Sequence, residues 1–314
     1  YRIVRLLAVG GMAEIFLARV EGLRGFEKLV VIKRILPEYE RRKNVVRMFL
    51  DEARLMATLN HPNITQVHDV GVARGSTFFA MEYVHGVDLR AIMKAARGRP
   101  LPVEHTVGII ADAAAGLHHA HEKRAPDGTP LAIVHRDVSP SNVLCSYDGA
   151  VKVTDFGVAK WAQQETETRH GTLKGKIAYM SPEQCRGEPL DRRSDVFALG
   201  ILLYELSTGT RLFQGASDFA ILQEITRGNV PPPSTRVPGY PAQLERIVMR
   251  ALATDRNRRS ETARDVQLQL EAFAHEARLV VGAVVRGRYL HELFARRIAK
   301  WRAAAEAGRS LGQY

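Results

Sequence analysis

Between residues 135 and 157 the chain carries His135-Arg136-Asp137, then Asn142 five positions after the aspartate, then Asp155-Phe156-Gly157 beginning thirteen positions after the asparagine. Phosphoryl transfer from Mg-ATP calls for an aspartate that orients an acceptor hydroxyl and takes its proton. It also calls for an asparagine on one Mg²⁺ and a second aspartate on the metals that bridge the phosphates. All three residue types are present in that order. Singly they are bland, since a His-Arg-Asp is commonly a solvated turn and an Asp-Phe-Gly a strand end. Together they require a fold that brings two separate loops to one ligand.

The upstream half supplies a phosphate grip. Ala8-Val9-Gly10-Gly11-Met12-Ala13-Glu14-Ile15 is a Gly-rich turn between two apolar β-type runs, where small residues let backbone amides approach phosphate oxygens. Against the pattern G-x-G-x-x-G-x-V it keeps only the middle glycine, Gly10, with Ala8 and Ala13 at the outer positions and Ile15 at the last. By itself this turn reads as an ordinary hairpin. The run Leu29-Val30-Val31-Ile32-Lys33 changes that reading, because it ends in a lysine and is followed by an amphipathic stretch from Val45 to Leu59 that carries Glu52. A Lys33–Glu52 ion pair would hold an ammonium on the α- and β-phosphates.

With these residues the chain resembles the protein kinase superfamily, and in particular the bacterial eukaryotic-like (Hanks-type) Ser/Thr protein kinases. Their glycine loops often read Gly-Gly-Met and a small residue, as Gly10 to Ala13 does. The resemblance covers residues 1 to about 275. It extends to Ser181-Pro182-Glu183 in place of A-P-E, to Asp195 within Ser194-Asp195-Val196-Phe197, and to Arg259 in a late Arg-rich turn. It implies an α+β, bilobal protein-kinase-like fold. A small antiparallel sheet with one main helix would occupy residues 1–84, and a larger, mostly helical lobe residues 85–275. A basic amphipathic helical extension would follow over 276–314. The β-type runs 1–7, 15–20, 29–35, 67–73 and 77–83 and the helical patterns 103–122, 196–207, 219–226, 242–253 and 262–275 agree with that division.

The same resemblance implies ATP and Mg²⁺ as cofactors and assigns roles. Asp137 is the base, Lys33 the phosphate clamp positioned by Glu52, and Asn142 and Asp155 the metal ligands. Gly10 and Gly11 face the phosphates, and Leu7, Ile15, Val31 and Leu144 wall the base. Met81 is the gatekeeper of a hinge, Met81-Glu82-Tyr83-Val84, whose backbone at Glu82 and Val84 pairs with the adenine edge. Asp88 is either a ribose-binding acid or the N-cap of a helix starting at Leu89. Glu183 should pair with Arg259, and Asp195 should brace the catalytic-loop backbone.

Two departures meet at one place. Ser139 stands where the family has a lysine on the γ-phosphate, and Lys176 where it has a threonine. Lys176 is therefore expected to bring an ammonium to Asp137 and the γ-phosphate from the other side. Thr166, Thr168 and Thr172, near Arg169 and Lys174, are candidate phosphorylation sites that would pair with Arg136. A pseudokinase scaffold is the competing reading. Ala8, Ala13 and Ser139 argue for it, and the complete set Lys33, Glu52, Asp137, Asn142 and Asp155 argues against it.

Forty-five Lys and Arg against thirty-four Asp and Glu leave a charge of +11, scattered without a nucleic-acid reading motif. The expected partners are thus a protein substrate and ATP, with no nucleic acid and with a homodimer possible for autophosphorylation. Two cysteines without metal spacing fit a reducing cytosol, and no run reaches the roughly eighteen apolar residues of a membrane span. The first residue is Tyr, so the chain reads as an excerpt of a cytoplasmic kinase region. Membrane contact is expected only from segments outside it, or weakly from 285–302. There Tyr289, Leu293, Phe294, Ile298 and Trp301 alternate with basic residues, and Gly282 and Gly287 would loosen the start of the helix. Packing on its own domain is the more usual fate of such a helix.

Overall fold

The structure, a computed structural model, describes residues 1–22, 27–157 and 177–306. Strands β1 (Arg2–Val9), β2 (Ala13–Glu21), β3 (Glu27–Ile35), β4 (Val67–Ala73) and β5 (Ser76–Glu82) form an antiparallel sheet in the order β1-β2-β3-β5-β4. Side chains alternate across it with period two. Val30 and Ile32 join Ala18 and Ala80 on the outer face, while Val31 and Ile35 pack inward with Phe79 and Met81. Helix α1 (Lys43–Ala57) covers the inner face with the stripe Val45, Phe49, Glu52, Ala53 and Met56, and Phe49 packs on Phe79 with ring centroids 5.0 Å apart and planes tilted at 42°. Glu52 is the one charged member of that stripe.

The second lobe begins with a small sheet, β6 (Gly86–Asp88), β7 (Val143–Ser146) and β8 (Val151–Val153), in sequence order. Around it lie helices α2 (Leu89–Ala96), α3 (Val103–His121), α4 (Pro182–Arg186), α5 (Arg193–Thr208), α6 (Asp218–Arg227), α7 (Ala242–Ala251) and α8 (Ala263–Glu276). Helix α5 is buried on nearly every side, as its apolar run 196–204 dictates, and it takes Asp195 and Glu205 into the interior with it. Local chemistry sets several starts. Ser217 caps α6, and Thr262 and Asp265 close a capping box on α8. One apolar core runs through both lobes.

The extension is two helices rather than one, α9 (Ala283–Leu293) and α10 (Ala295–Glu306), broken at Phe294. Gly287 does not loosen it. A Cβ there would stand 3.0 Å from the Tyr147 carbonyl oxygen, so the glycine lets α9 lie against the turn after β7. On the other side of that contact Gly149 (φ 88°) gives room to the Ala283 carbonyl, which an added Cβ would meet at 1.8 Å. Leu290 and Ile298 belong to the common core, while Arg288, Arg296, Arg297, Lys300 and Arg302 are exposed. The apolar face that a membrane contact through 285–302 would need is therefore the face packed on the large lobe. Among the described residues no helix is long and apolar enough to cross a membrane.

Candidate active site

Lys33 projects from the inner face of β3 into the junction of the lobes. Its Nζ lies 2.6 Å from Glu52 Oε1 and 3.0 Å from Asp155 Oδ1. Lys33 is 9% and Glu52 4% exposed, so this pair is buried, while Asp155 keeps 23% of its side chain accessible. Burial alone would lower the pKa of this ammonium, but the carboxylates of Asp155 and Glu52 outweigh it and push the pKa up. The side chain stays charged.

The catalytic loop is held by one buried carboxylate. Asp195, in the first turn of α5, accepts the His135 amide (2.8 Å) and His121 Nε2 (2.8 Å) on Oδ2, and the Arg136 amide (2.9 Å) on Oδ1. Its burial would raise the pKa, yet the His121 hydrogen bond, the neighbouring imidazoles and the His135 amide hold it below the usual carboxylate range. Arg136 (φ 65°) and Asp155 (φ 55°) both sit in the left-handed region. Such a conformation costs a non-glycine residue about 1–3 kcal/mol and persists only where surrounding structure over-determines it. Asp195 below and Gln184, whose side chain donates to the Arg136 carbonyl at 2.9 Å, supply that constraint for the loop.

His135 ties the two motifs together. Its Nδ1 accepts the Asp137 amide (3.2 Å), so Nε2 carries the proton and donates to the Thr154 carbonyl (3.0 Å). The His135 carbonyl accepts the Gly157 amide at 2.9 Å, and its ring packs on Phe156 with centroids 4.5 Å apart. Asn142 completes the link, with Nδ2 donating to both the backbone oxygen and Oδ2 of Asp137 at 2.8 Å each. Its own carbonyl accepts the Thr154 amide at 3.0 Å. Asp137, Asn142, Asp155, Lys33 and Glu52 are thus gathered at one site.

The residues expected around a nucleotide are distributed more unevenly. Gly10 and Gly11 form the β1–β2 turn, closed by the Gly10 amide on the Ala13 carbonyl at 2.8 Å. Register places Ile15 opposite Lys33, and Val31 opposite Met81. Leu7 is exposed where the β1–β2 register shifts, and Leu144 pairs with Asp88. The Glu82 amide donates to the Gln66 carbonyl at 2.8 Å. Asp88 is the helix cap. Its Oδ1 accepts the Ala91 amide at 2.7 Å, and Oδ2 pairs with Arg90 at 3.0 Å. Ser139 is buried with its hydroxyl 3.0 Å from that of Ser141. Lys176, Thr166, Thr168, Thr172, Arg169 and Lys174 lie outside the described residues.

The expected brace is present: Arg259 grips both oxygens of Glu183, at 2.6 and 2.8 Å. His121 and Gln184 were not anticipated. His121 acquires its role only through a contact 74 positions away, and Gln184, which also closes a capping box with Ser181, reaches the loop 48 positions away.

A five-stranded sheet with one helix, set on a helical lobe with these groups at the junction, is the protein kinase fold. The family described as protein kinase domain matches residues 1–285. The chain is 45% identical over 306 residues to the tyrosine-protein kinase MasK of Myxococcus xanthus, an alignment covering 95% of this chain and 47% of that protein. It is 34% identical over 279 residues to the serine/threonine-protein kinase PrkC of Bacillus subtilis, covering 89% and 41%. The crystal structure of the Mycobacterium tuberculosis PknI kinase domain superposes with a TM-score of 0.63 at 26% identity, covering 86% of this chain and 94% of that one. The chain belongs to the protein kinase family, and it spans less than half the length of MasK and PrkC.

Proposed function

We propose that the chain is a serine/threonine protein kinase that transfers the γ-phosphoryl group of Mg-ATP to hydroxyls of protein substrates. The observation that carries this reading is the Lys33 ammonium, 2.6 Å from Glu52 and 3.0 Å from Asp155, beside a loop in which Asn142 grips Asp137. Lys33 offers a fixed cation to the α- and β-phosphates, and Glu52 keeps it from swinging away. Asp137 orients the acceptor hydroxyl and takes its proton. Asn142 Oδ1 and the Asp155 carboxylate are oxygen donors of the kind that hold Mg²⁺ jointly with substrate phosphates. Bound there, the metal would neutralise charge on the transferring group.

Gly10 and Gly11 would let backbone amides approach the phosphates. Leu7, Ile15, Val31 and Leu144 would wall the adenine beneath Met81. With the Glu82 amide occupied, the adenine edge falls to the Glu82 carbonyl and the Val84 amide. Asp88 would reach a ribose only by leaving Arg90. Protein substrates, a cytoplasmic site of action and autophosphorylation in a homodimer belong to the same proposal.

The 45% identity to a protein named a tyrosine kinase favours a second specificity. Against it stand the segment Tyr179-Met180-Ser181-Pro182-Glu183, which has the Ser/Thr form, and the likeness to PrkC. Incubation with labelled ATP, Mg²⁺ and a generic basic protein, followed by phosphoamino-acid analysis, separates the readings. Phosphoserine or phosphothreonine is expected. Phosphotyrosine alone refutes the specificity, and nucleotide binding without any label points to the pseudokinase.

A further inference from the structure

The last described helix turns back over the connection between the lobes. In α10 the Trp301 ring stacks on Tyr83 with centroids 6.0 Å apart and planes at 26°, and lies 5.0 Å from the His85 ring. His85 meets Tyr147 edge-on at 5.1 Å, and Tyr147 in turn lies 6.2 Å from Phe294. A continuous path of rings therefore leads from the break between α9 and α10 to the residue between Glu82 and Val84.

This path stands on a firm base. Arg286 of α9 is 3% exposed, donates from Nε to the Gly149 carbonyl at 2.6 Å and pairs with Asp112 Oδ2 at 2.5 Å. Ile298, one turn before Trp301 on the same side of α10, is buried in the common core. The extension is thus fastened to the large lobe at two points before Trp301 reaches the hinge.

We infer that Trp301 is a positioning residue for nucleotide binding. It pins Tyr83 from outside the cleft and so holds the backbone of Glu82 to Val84 in the geometry that receives the adenine edge. The inference rests on the reading of residues 81–84 as the adenine-binding hinge. A hinge already ordered before the nucleotide arrives loses less freedom on binding, so the contribution of one aromatic pair appears as affinity. Typical pair strengths put the effect at roughly three- to tenfold.

The experiment compares the parent with Trp301→Ala and Trp301→Phe as full chains, by steady-state kinetics with ATP varied and by direct Mg-ADP titration. Amide hydrogen exchange over residues 82–86 is read beside that of α3. The alanine variant should raise KM for ATP and Kd for Mg-ADP roughly three- to tenfold, leave kcat within about twofold, and speed exchange at the hinge alone. Phenylalanine should restore the parental values. A parent that binds no Mg-ADP overturns the kinase reading. A parent that binds it while Trp301→Ala keeps or tightens the parental Kd overturns the role of Trp301. So does a loss in kcat equal for Ala and Phe.

Discussion

Lys33 and Arg259 are both buried cations facing carboxylates, yet their surroundings differ. Every N–H of the Arg259 guanidinium is used: two on Glu183, and one each on the carbonyls of Ala253, Arg193 and Thr254. Glu183 Oε1 also accepts the Ser194 hydroxyl at 2.8 Å. All of these groups lie in the large lobe, and the set is closed. Lys33 is shared between a strand, helix α1 and the loop after β8, so its partners come from both lobes, and Asp155 keeps 23% of its side chain accessible. Closure by matched donors within one lobe makes a fastener. The same ionic chemistry spread over elements that can separate leaves room for a ligand to enter.

The strongest way to break this comparison is at the reacting end. Asp137→Asn should lower kcat by roughly 10³-fold, because proton transfer by a positioned carboxylate is worth 10²–10⁴, while the melting temperature stays at the parental value. Parental turnover would remove Asp137 from the chemistry. The converse should hold at the fastener. Arg259→Met strands Glu183 and should cost about 3–5 kcal/mol in urea unfolding. If it unfolds like the parent, the brace is ornamental. Lys33→Met should abolish turnover yet cost only about 1–2 kcal/mol of stability, since solvent at Asp155 and movement of α1 relieve the stranded carboxylates. Equal destabilisation by the two methionines would erase the distinction.

The two clusters should also be lost at opposite ends of the pH scale. Burial raises the Glu183 carboxyl, but hydrogen bonds from Arg259 and Ser194 outweigh it and hold the pKa below its ordinary 4.5. That contribution is complete above pH 4.5 and is lost as the pH falls through the depressed folded value. The Lys33 ammonium is raised above its ordinary 10.5, so its contribution is complete below that pH and is lost as the pH rises further. Unfolding curves against pH should therefore lose part of their acid arm in Arg259→Met and part of their alkaline arm in Lys33→Met. The smallest effect belongs to Ser194→Ala, which removes one hydrogen bond to Glu183 and should cost about 1.5 kcal/mol in the same unfolding assay.

Strands β1 to β5 and helices α1, α3 and α5 to α8 were legible in the chain. Each carries a run of period two or 3.6, or in α5 an apolar run with no polar face, long enough to declare the element. Helix α4 and the sheet of β6 to β8 were not, and of α2 only its start at Leu89 was, as one of two readings of Asp88. They are short, and the sheet is completed only when residues 86–88 pair with 144–146. The site divides in the same way. Lys33, Glu52, Asp137, Asn142 and Asp155 stand in motifs whose order and spacing, with the family resemblance they carry, named them as candidates before the structure gathered them.

What holds those residues in place was decided elsewhere. His121 has no local signature, Gln184 shows locally only the capping box it closes with Ser181, and only the structure shows Asp88 capping the Ala91 amide and paired with Arg90. The periodicity around Trp301 announced an apolar face without saying what it would cover. A motif is local, since its spacing follows from one loop folding around one ligand. A brace is a contact between distant segments, and its energy exists only once the rest of the chain has brought them together.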